Sequence, residues 1–235
     1  MRILIKYATR GRPELFKARI KNIHETIGIN DFEIIVSVDS NDLTMLYIDS
    51  FCSTYPNVKL IWGHNHSKVS AINRDIEHAK PWDLLINFSD DMVFVQQNWG
   101  PLMIDLIKMK WGESTDFFAH FNDGFVKEKL PTMSIMGWEY LHRTGTVYNP
   151  EYKSVSCDAE AMFVAMMLGK HHYFENQFFS HMHPANAPGI VGSDSTYMLN
   201  DKFEKEDTET YFRRKSKLFY VNNPTIIPFN PHDRS

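Results

Sequence analysis

The stretch Trp82-Asp83-Leu84-Leu85-Ile86-Asn87-Phe88-Ser89-Asp90-Asp91-Met92 restricts the fold more than any other part of the chain. It is a short, nearly continuous apolar run that stops at two adjacent carboxylates, the pattern of a strand buried on both faces of a sheet. Ligands of open α/β sheets bind beyond the carboxyl ends of the strands, which sets Asp90 and Asp91 at the rim of a cleft rather than in the core. Neighbouring acids repel each other unless a cation or hydrogen-bond donors compensate. A hard divalent ion sharing carboxylate and phosphate oxygens is one compensator. A surface turn that simply favours aspartate is the plain alternative.

The residues before this stretch repeat its layout. Ile3, Leu4 and Ile5 mark a first strand over residues 1–7, followed by Ala8-Thr9-Arg10-Gly11-Arg12-Pro13-Glu14. Gly11 permits a tight turn, Pro13 suits the first helical position and Glu14 the first turn, so a helix is predicted from there to Gly28. Arg10 and Arg12, beside a helix start at the end of a strand, are placed to meet a diphosphate, or stand as solvated loop arginines. A second strand over 32–38 ends on Asp39, positioned to accept hydrogen bonds from a base or ribose, and Ser40 or Asp42 caps the next helix. Residues 57–62 form a third strand. Residues 67–80 read as an amphipathic helix with Val69, Ile72, Ile76 and Ala79 on one face, flanked near its start by Lys68 and Asn73. This alternation predicts a parallel sheet with helices on both faces. No G-x-G-x-x-G follows the first strand and no P-loop is present, which argues against a dinucleotide or P-loop site.

In the second half, 99–111 reads as a helix, 116–120 as a strand, and 131–137 as a strand leading to a short helix at Trp138. Cys157-Asp158-Ala159-Glu160 opens a helix, apolar nearly all round, that ends at Gly169. Asp158 is either its N-cap or a general base, and Glu160 is the second candidate base. A strand over 172–179 leads into Ser180-His181-Met182-His183. Its alternating imidazoles share one side of extended backbone and suit a transition-metal shell begun by Asp91; a hydrogen-bonded structural histidine is the alternative. A metallohydrolase reading of His-x-His fails for lack of further clustered ligands. Residues 194–200 and 202–207 read as loops and 208–217 as a helix whose Arg213 and Arg214 are either solvated, the preferred reading, or closing over a diphosphate. Pro224, Pro228 and Pro231 make the end irregular.

A formal charge of −4 supplies no global basic field for nucleic acid or anionic membrane. No run is long enough to span a bilayer, and MRILIKYATR is not a secretory signal. Cys52 and Cys157 form neither a metal-type spacing nor a disulfide framework, so a reducing, cytoplasmic location is expected.

Taken in order, TRGRPE after the first strand, SVD after the second, KVSAIN on the next helix and SDD after the fourth strand resemble the GT-A class of glycosyltransferases. Within it they are most similar to the small, family 2-like members of bacteria and their viruses. The resemblance implies an α/β fold: one GT-A (Rossmann-like) domain with a mostly parallel central sheet flanked by helices. Residues 1–95 would form its nucleotide-sugar-binding half and 96–235 a smaller acceptor-side half. It implies that Thr9 and Arg10 border the nucleotide, that Asp39 holds the base, and that Lys68 and Asn73 lie nearby. Ser89-Asp90-Asp91 stands where the family carries its D-x-D motif, with Asp90 facing the ribose or donor sugar and Asp91 binding the metal. A later histidine, His181 or His183, would complete the shell, and Asp158 or Glu160 would deprotonate the acceptor. The expected activity is Mn²⁺- or Mg²⁺-dependent transfer from a nucleotide-sugar, UDP-linked, to a hydroxyl of a glycan, small molecule or modified nucleic acid. Three alternatives stand beside it. A sugar-phosphate nucleotidyltransferase needs a first loop richer in glycine. A viral DNA-base glycosyltransferase is disfavoured by the negative charge. The third is a non-catalytic carbohydrate-binding scaffold.

Overall fold

The structure is a computed structural model that describes residues 1–184, 198 and 202–221. Successive residues of a strand face opposite sides of its sheet. In strands β1 (Ile3–Thr9), β2 (Phe32–Asp39) and β4 (Leu84–Phe88) both sides are covered. Ile3, Ile5, Tyr7, Ile34, Val36, Val38, Leu84, Ile86 and Phe88 pack into one core with α1 (Pro13–Thr26), α2 (Ile48–Cys52) and α4 (Trp99–Trp111). Leu4, Ile35 and Leu85 pack into a second with α3 (Lys68–Asn73), α5 (Trp138–Thr144) and α6 (Cys157–Met167). Burial on two faces is why these strands read as unbroken apolar runs.

With β3 (Val58–Gly63), β6 (Phe118–Asn122), β7 (Ile135–Gly137) and β8 (His171–Gln177), they form a seven-stranded sheet of order β3-β2-β1-β4-β7-β6-β8. The first four strands are mutually parallel, and β6 is parallel to β8; only β7 runs against its neighbours. The architecture is thus the predicted mixed α/β one, with a mostly parallel sheet between helices. A separate antiparallel ribbon pairs β5 (Met92–Phe94) with β9 (Phe179–His181). The last described helix is α7 (Glu204–Lys215). No helix among the described residues is long and apolar enough to cross a membrane.

Three local expectations give way to tertiary contacts. The pattern over 67–80 predicts one helix, but α3 stops at Asn73, Arg74 is extended and Asp75 is left-handed at φ 71°. Both side chains are drawn under the sheet ends, Arg74 to the Val38 carbonyl (3.0 Å) and Asp75 to Ser37 (2.5 Å), and aspartate tolerates that backbone better than most residues. Ile76 and Ala79 still face the second core. The predicted strand over 172–179 divides at Phe178, whose carbonyl accepts from Val95 N (2.9 Å) as the chain leaves the large sheet for the ribbon. Residues 202–207 are not a loop, since α7 begins at Glu204. Apart from residue 198, the predicted loop at 194–200 lies outside the described residues, as do Pro224, Pro228 and Pro231.

Candidate active site

β1, β2 and β4 end side by side, with Thr9 opposite Val38 and Tyr7 opposite Phe88. Tyr7 and Thr9, two residues apart on one face of β1, both donate to Asp90: Tyr7 Oη at 2.7 Å and Thr9 Oγ1 at 3.0 and 3.1 Å. Arg19 Nε holds the Asp90 carbonyl at 2.9 Å. Asp90 is therefore buried, not at the cleft rim as the sequence suggests, and Thr9 spends its hydroxyl on it. Burial pushes the Asp90 carboxyl up to about 7, against the lowering effect of Tyr7, Arg12 and Thr9.

Asp91 is turned differently. Ser89 Oγ donates to its Oδ1, and His181 Nε2 lies 3.5 Å from its Oδ2. The ribbon fixes this meeting: Met92 pairs with His181, and Met182 N donates to the Asp91 carbonyl at 2.6 Å. Burial opposes the charge on Asp91, but His181, Lys68 and Ser89 outweigh it and hold the carboxyl far below the usual range. The His183 ring lies 5.6 Å from that of His181, and its pKa is lowered by burial against the raising effect of Asp91. A carboxylate oxygen and an imidazole nitrogen 3.5 Å apart can touch one Mn²⁺ or Mg²⁺ ion, leaving its other positions for ligand oxygens. His183 does not close a compact three-donor group with them. Among the described residues, the three-donor grouping within 4.8 Å is Asp75, Glu77 and His78, and there Asp75 is already bound to Arg74 and Ser37.

A second polar cluster gathers at the end of β2. Arg10 Nη1 donates to Asp39 Oδ2 and Asn65 Nδ2 to Asp39 Oδ1, while Arg10 also reaches Asn41 Oδ1 (3.1 Å). Asp42 caps the short turn Leu43–Met45, as predicted, and accepts from Gly11 N (2.6 Å), tying the TRGRPE loop to the end of β2. Arg12 stands at the start of α1, where its charge acts on Asp90 and His183. Lys68, exposed in the first turn of α3, acts on both Asp91 and Asp158. Asn73 is not part of this group. Its amide clasps the Tyr148 backbone, Nδ2 to O at 2.7 Å and Oδ1 from N at 2.9 Å, so the expectation of a nucleotide contact is corrected to a structural one.

Asp158 is not the cap of α6. Ser156, left-handed at φ 62°, holds that position, and Asp158 Oδ1 accepts from Ala159 N at 2.8 Å within the first turn. Asp158 is half-buried, and burial raises its pKa against Ala159 N–H, Lys68 and His181. The loop before α6 is held by Asp207, fully buried, which accepts from the N–H groups of Lys153, Ser154 and Val155 at 2.7–2.8 Å.

Glu160, the second candidate base, faces inward. It accepts from Tyr152 Oη (2.7 Å) and from the Arg214 fork, Nε at 2.8 Å and Nη2 at 2.9 Å. Glu160 is thus a structural anchor, and Arg214 is buried rather than solvated; Arg213 pairs with Glu151. A cavity of about 370 Å³ behind this pair, lined by Tyr140, Glu151, Glu160, Arg214 and Phe219 among others, includes none of Asp39, Asp91 or Asp158. Removing one partner of a buried ion pair strands the other charge, at about 3–5 kcal/mol. Arg214 Nη1 also pairs with Glu151, so Glu160→Ala leaves the guanidinium partly matched and is expected to lower the unfolding free energy by about 2 kcal/mol in urea titrations. A loss below about 0.5 kcal/mol, the size of an ordinary surface change, would show that Glu151 alone satisfies the buried guanidinium.

Four residues of this region, Tyr7, Asn65, Arg74 and Asp207, were missed in the sequence, because each acts on a group distant along the chain. For Tyr7 alone, its spacing from Thr9 on one strand face could have served as a signal.

No known family's sequence profile matches the chain, and no curated protein matches it in sequence. Solved structures do match it in shape. The mannosyltransferase PcManGT from Pyrobaculum calidifontis, in complex with GDP-Man and Mn²⁺, superposes with a TM-score of 0.59 at 14% identity over 74% of this chain. S. aureus TarS 1-349 with UDP-GlcNAc gives 0.60 at 12% identity over 85%, and with UDP 0.61 at 13% over 95%. The fold is that of GT-A glycosyltransferases. Identities this low speak for the fold alone. The chain also spans only 54% of the mannosyltransferase and 64% of TarS 1-349 with UDP-GlcNAc, so parts of those proteins have no counterpart in it.

Proposed function

We propose that this protein is a glycosyltransferase that moves a sugar from a UDP-linked donor to an acceptor hydroxyl. The observation that carries this reading is the Asp91–His181 pair, set by the β5–β9 ribbon after β4, with the Asp39–Arg10 pair at the end of β2 on the same edge of the parallel strands. The GDP-Man, UDP-GlcNAc and UDP complexes of proteins with this fold support it. In this reading Asp39 and Arg10 border the nucleoside, and Arg12 and Lys68 bring positive charge toward the diphosphate. Asp91 and His181, with His183 beside them, hold Mn²⁺ or Mg²⁺, which when bound offsets charge developing on the leaving diphosphate. Asp158 takes the proton of the acceptor hydroxyl. Its raised pKa favours that role, because a base works best when its pKa approaches the working pH. Asp90, Thr9 and Tyr7 support the strand end on which Asp91 is mounted.

The test is a thermal-shift and calorimetric panel of UDP, UDP-GlcNAc and GDP-Man, with and without Mn²⁺. A ligand that binds only the native state must raise its apparent stability. The melting temperature is expected to rise with a nucleotide in Mn²⁺, poorly in Ca²⁺, and not at all in excess EDTA, with slow donor hydrolysis in the same order. Binding and turnover undiminished in EDTA, in metal-free protein, would overturn the metal assignment. No response to any nucleotide would overturn the function.

A further inference from the structure

The contacts that fix Asp39 continue inward from it. Asn65 donates through Nδ2 to Asp39 Oδ1 and accepts through Oδ1 from Arg74 Nε at 2.6 Å. A guanidinium only donates, so Arg74 fixes which end of the Asn65 amide faces Asp39. Arg74 is in turn held from every side. Its Nη2 donates to the carbonyls of Val38 (3.0 Å) and Ile61 (3.3 Å) at the ends of β2 and β3, and its Nη1 pairs with Asp75 at 2.8 Å. Asp75 accepts from Ser37 Oγ (2.5 Å), and Ser37 accepts from Lys6, a lysine wholly buried in the sheet. A Cβ on Gly63 would stand 2.3 Å from Arg74 Nη1, so the bare backbone there is what lets the guanidinium lie against the strand end.

We propose that Asn65 and Arg74 are positioning residues of the donor site: they present Asp39 as a fixed acceptor that selects a nucleobase with a ring N–H on its pairing edge, uracil (N3–H) or guanine (N1–H), over cytosine. The inference rests on the glycosyl-transfer reading. Arg10 and Asn65 each donate to one Asp39 oxygen, and each oxygen keeps a lone pair for the ligand. An ionised carboxylate accepts and cannot donate. The ring N3–H of uracil satisfies it, whereas the ring N3 of cytosine is itself an acceptor and repels it. A site built to pair a substrate N–H discriminates strongly against the analogue that lacks it, because its own polar groups are left unpaired. The discrimination holds only while Asp39 cannot turn away; Arg10 holds one oxygen, and the amide of Asn65, itself fixed by Arg74, holds the other.

Calorimetric titration of UDP, GDP and CDP in Mn²⁺ tests this on wild-type protein, Asn65→Ala and Arg74→Lys. Wild type is expected to bind UDP or GDP at least about tenfold more tightly than CDP. Asn65→Ala is expected to weaken that nucleotide about tenfold while leaving CDP nearly unchanged, so the ratio collapses. Arg74→Lys keeps a charge beside Asp75 but not the fork, and should give the same collapse. Because Arg74 also holds two strand carbonyls, Asn65→Ala is the deciding variant, and its melting temperature without ligand reports its folding. A purely structural role would lower stability and all three affinities together. A wild-type preference that survives unchanged in folded Asn65→Ala overturns the inference alone. Wild-type protein that binds none of the three nucleotides overturns the glycosyl-transfer reading, and the inference with it.

Discussion

Asp91→Asn is expected to lose Mn²⁺-dependent nucleotide binding and sugar transfer together. The substitution keeps the size of the side chain and an oxygen for Ser89, but removes the charge that His181 and Lys68 face. Loss of a supporting group around a metal already costs about 10–100-fold in affinity or activity, so loss of a ligand should cost at least about 10²-fold. The fold should persist, because the ribbon holds this position through the backbone, Met182 N to Asp91 O. Titration of Mn²⁺ in the presence of UDP, then single-turnover transfer, reads both effects. Normal metal affinity in a folded Asp91→Asn protein would move the metal site elsewhere.

Asp158→Asn should separate binding from chemistry. Asp158 is proposed to act only as the acceptor hydroxyl loses its proton, so donor affinity should stay close to wild type while kcat falls by about 10²–10⁴-fold. Stability should change little, since Ser156 occupies the cap position and asparagine can still accept from Ala159 N. In the proposed reaction of the wild-type protein, Asp158 must be ionised to take the proton. Burial raises its pKa, so kcat should fall on the acid side at a pH above the ordinary aspartate range, and that limb should vanish in the variant. Normal turnover by Asp158→Asn would mean a base elsewhere or a reaction that retains configuration. Glu160 would not replace it, because Tyr152 and Arg214 already engage both its oxygens.

The sheet was legible wherever burial on two faces wrote itself as an apolar run, as in β1, β2 and β4. The strand-end acids Asp39 and Asp91 came from the same runs, because an α/β sheet delivers the residue after each strand to one edge. Adjacent residues after a strand were harder to separate. Asp90 and Asp91 look equivalent in sequence, yet Tyr7 and Thr9, on the face of β1 next to Asp90, claim only one of them. Helix faces failed where partners lie far along the chain. Glu160 and Arg214 are separated by most of the last third of the sequence, and Asn73 meets Tyr148 across the second core. Hydrophobic periodicity reports which side of a helix is buried, not which polar group is waiting there. Likewise the period over 67–80 is real, but Arg74 and Asp75 gain more from the strand ends and Ser37 than from another helical turn.

The β5–β9 ribbon also bears on the order in which the molecule assembles. Strands β1 to β4 are joined by short crossovers and can associate as soon as that part of the chain exists. The Met92–His181 pairing instead closes a loop that encloses α4, β6, β7, α5, α6 and β8, and contacts between distant parts of a chain cost more closure entropy and are expected to form later. Asp39 can therefore be in place while Asp91 still lacks its imidazole. On the proposed reading the ribbon would work as a latch: a chain whose later half has yet to dock would present Asp39 and Asp91 without the imidazole proposed to share the ion, and would gain the proposed metal-assisted chemistry only when folding is complete.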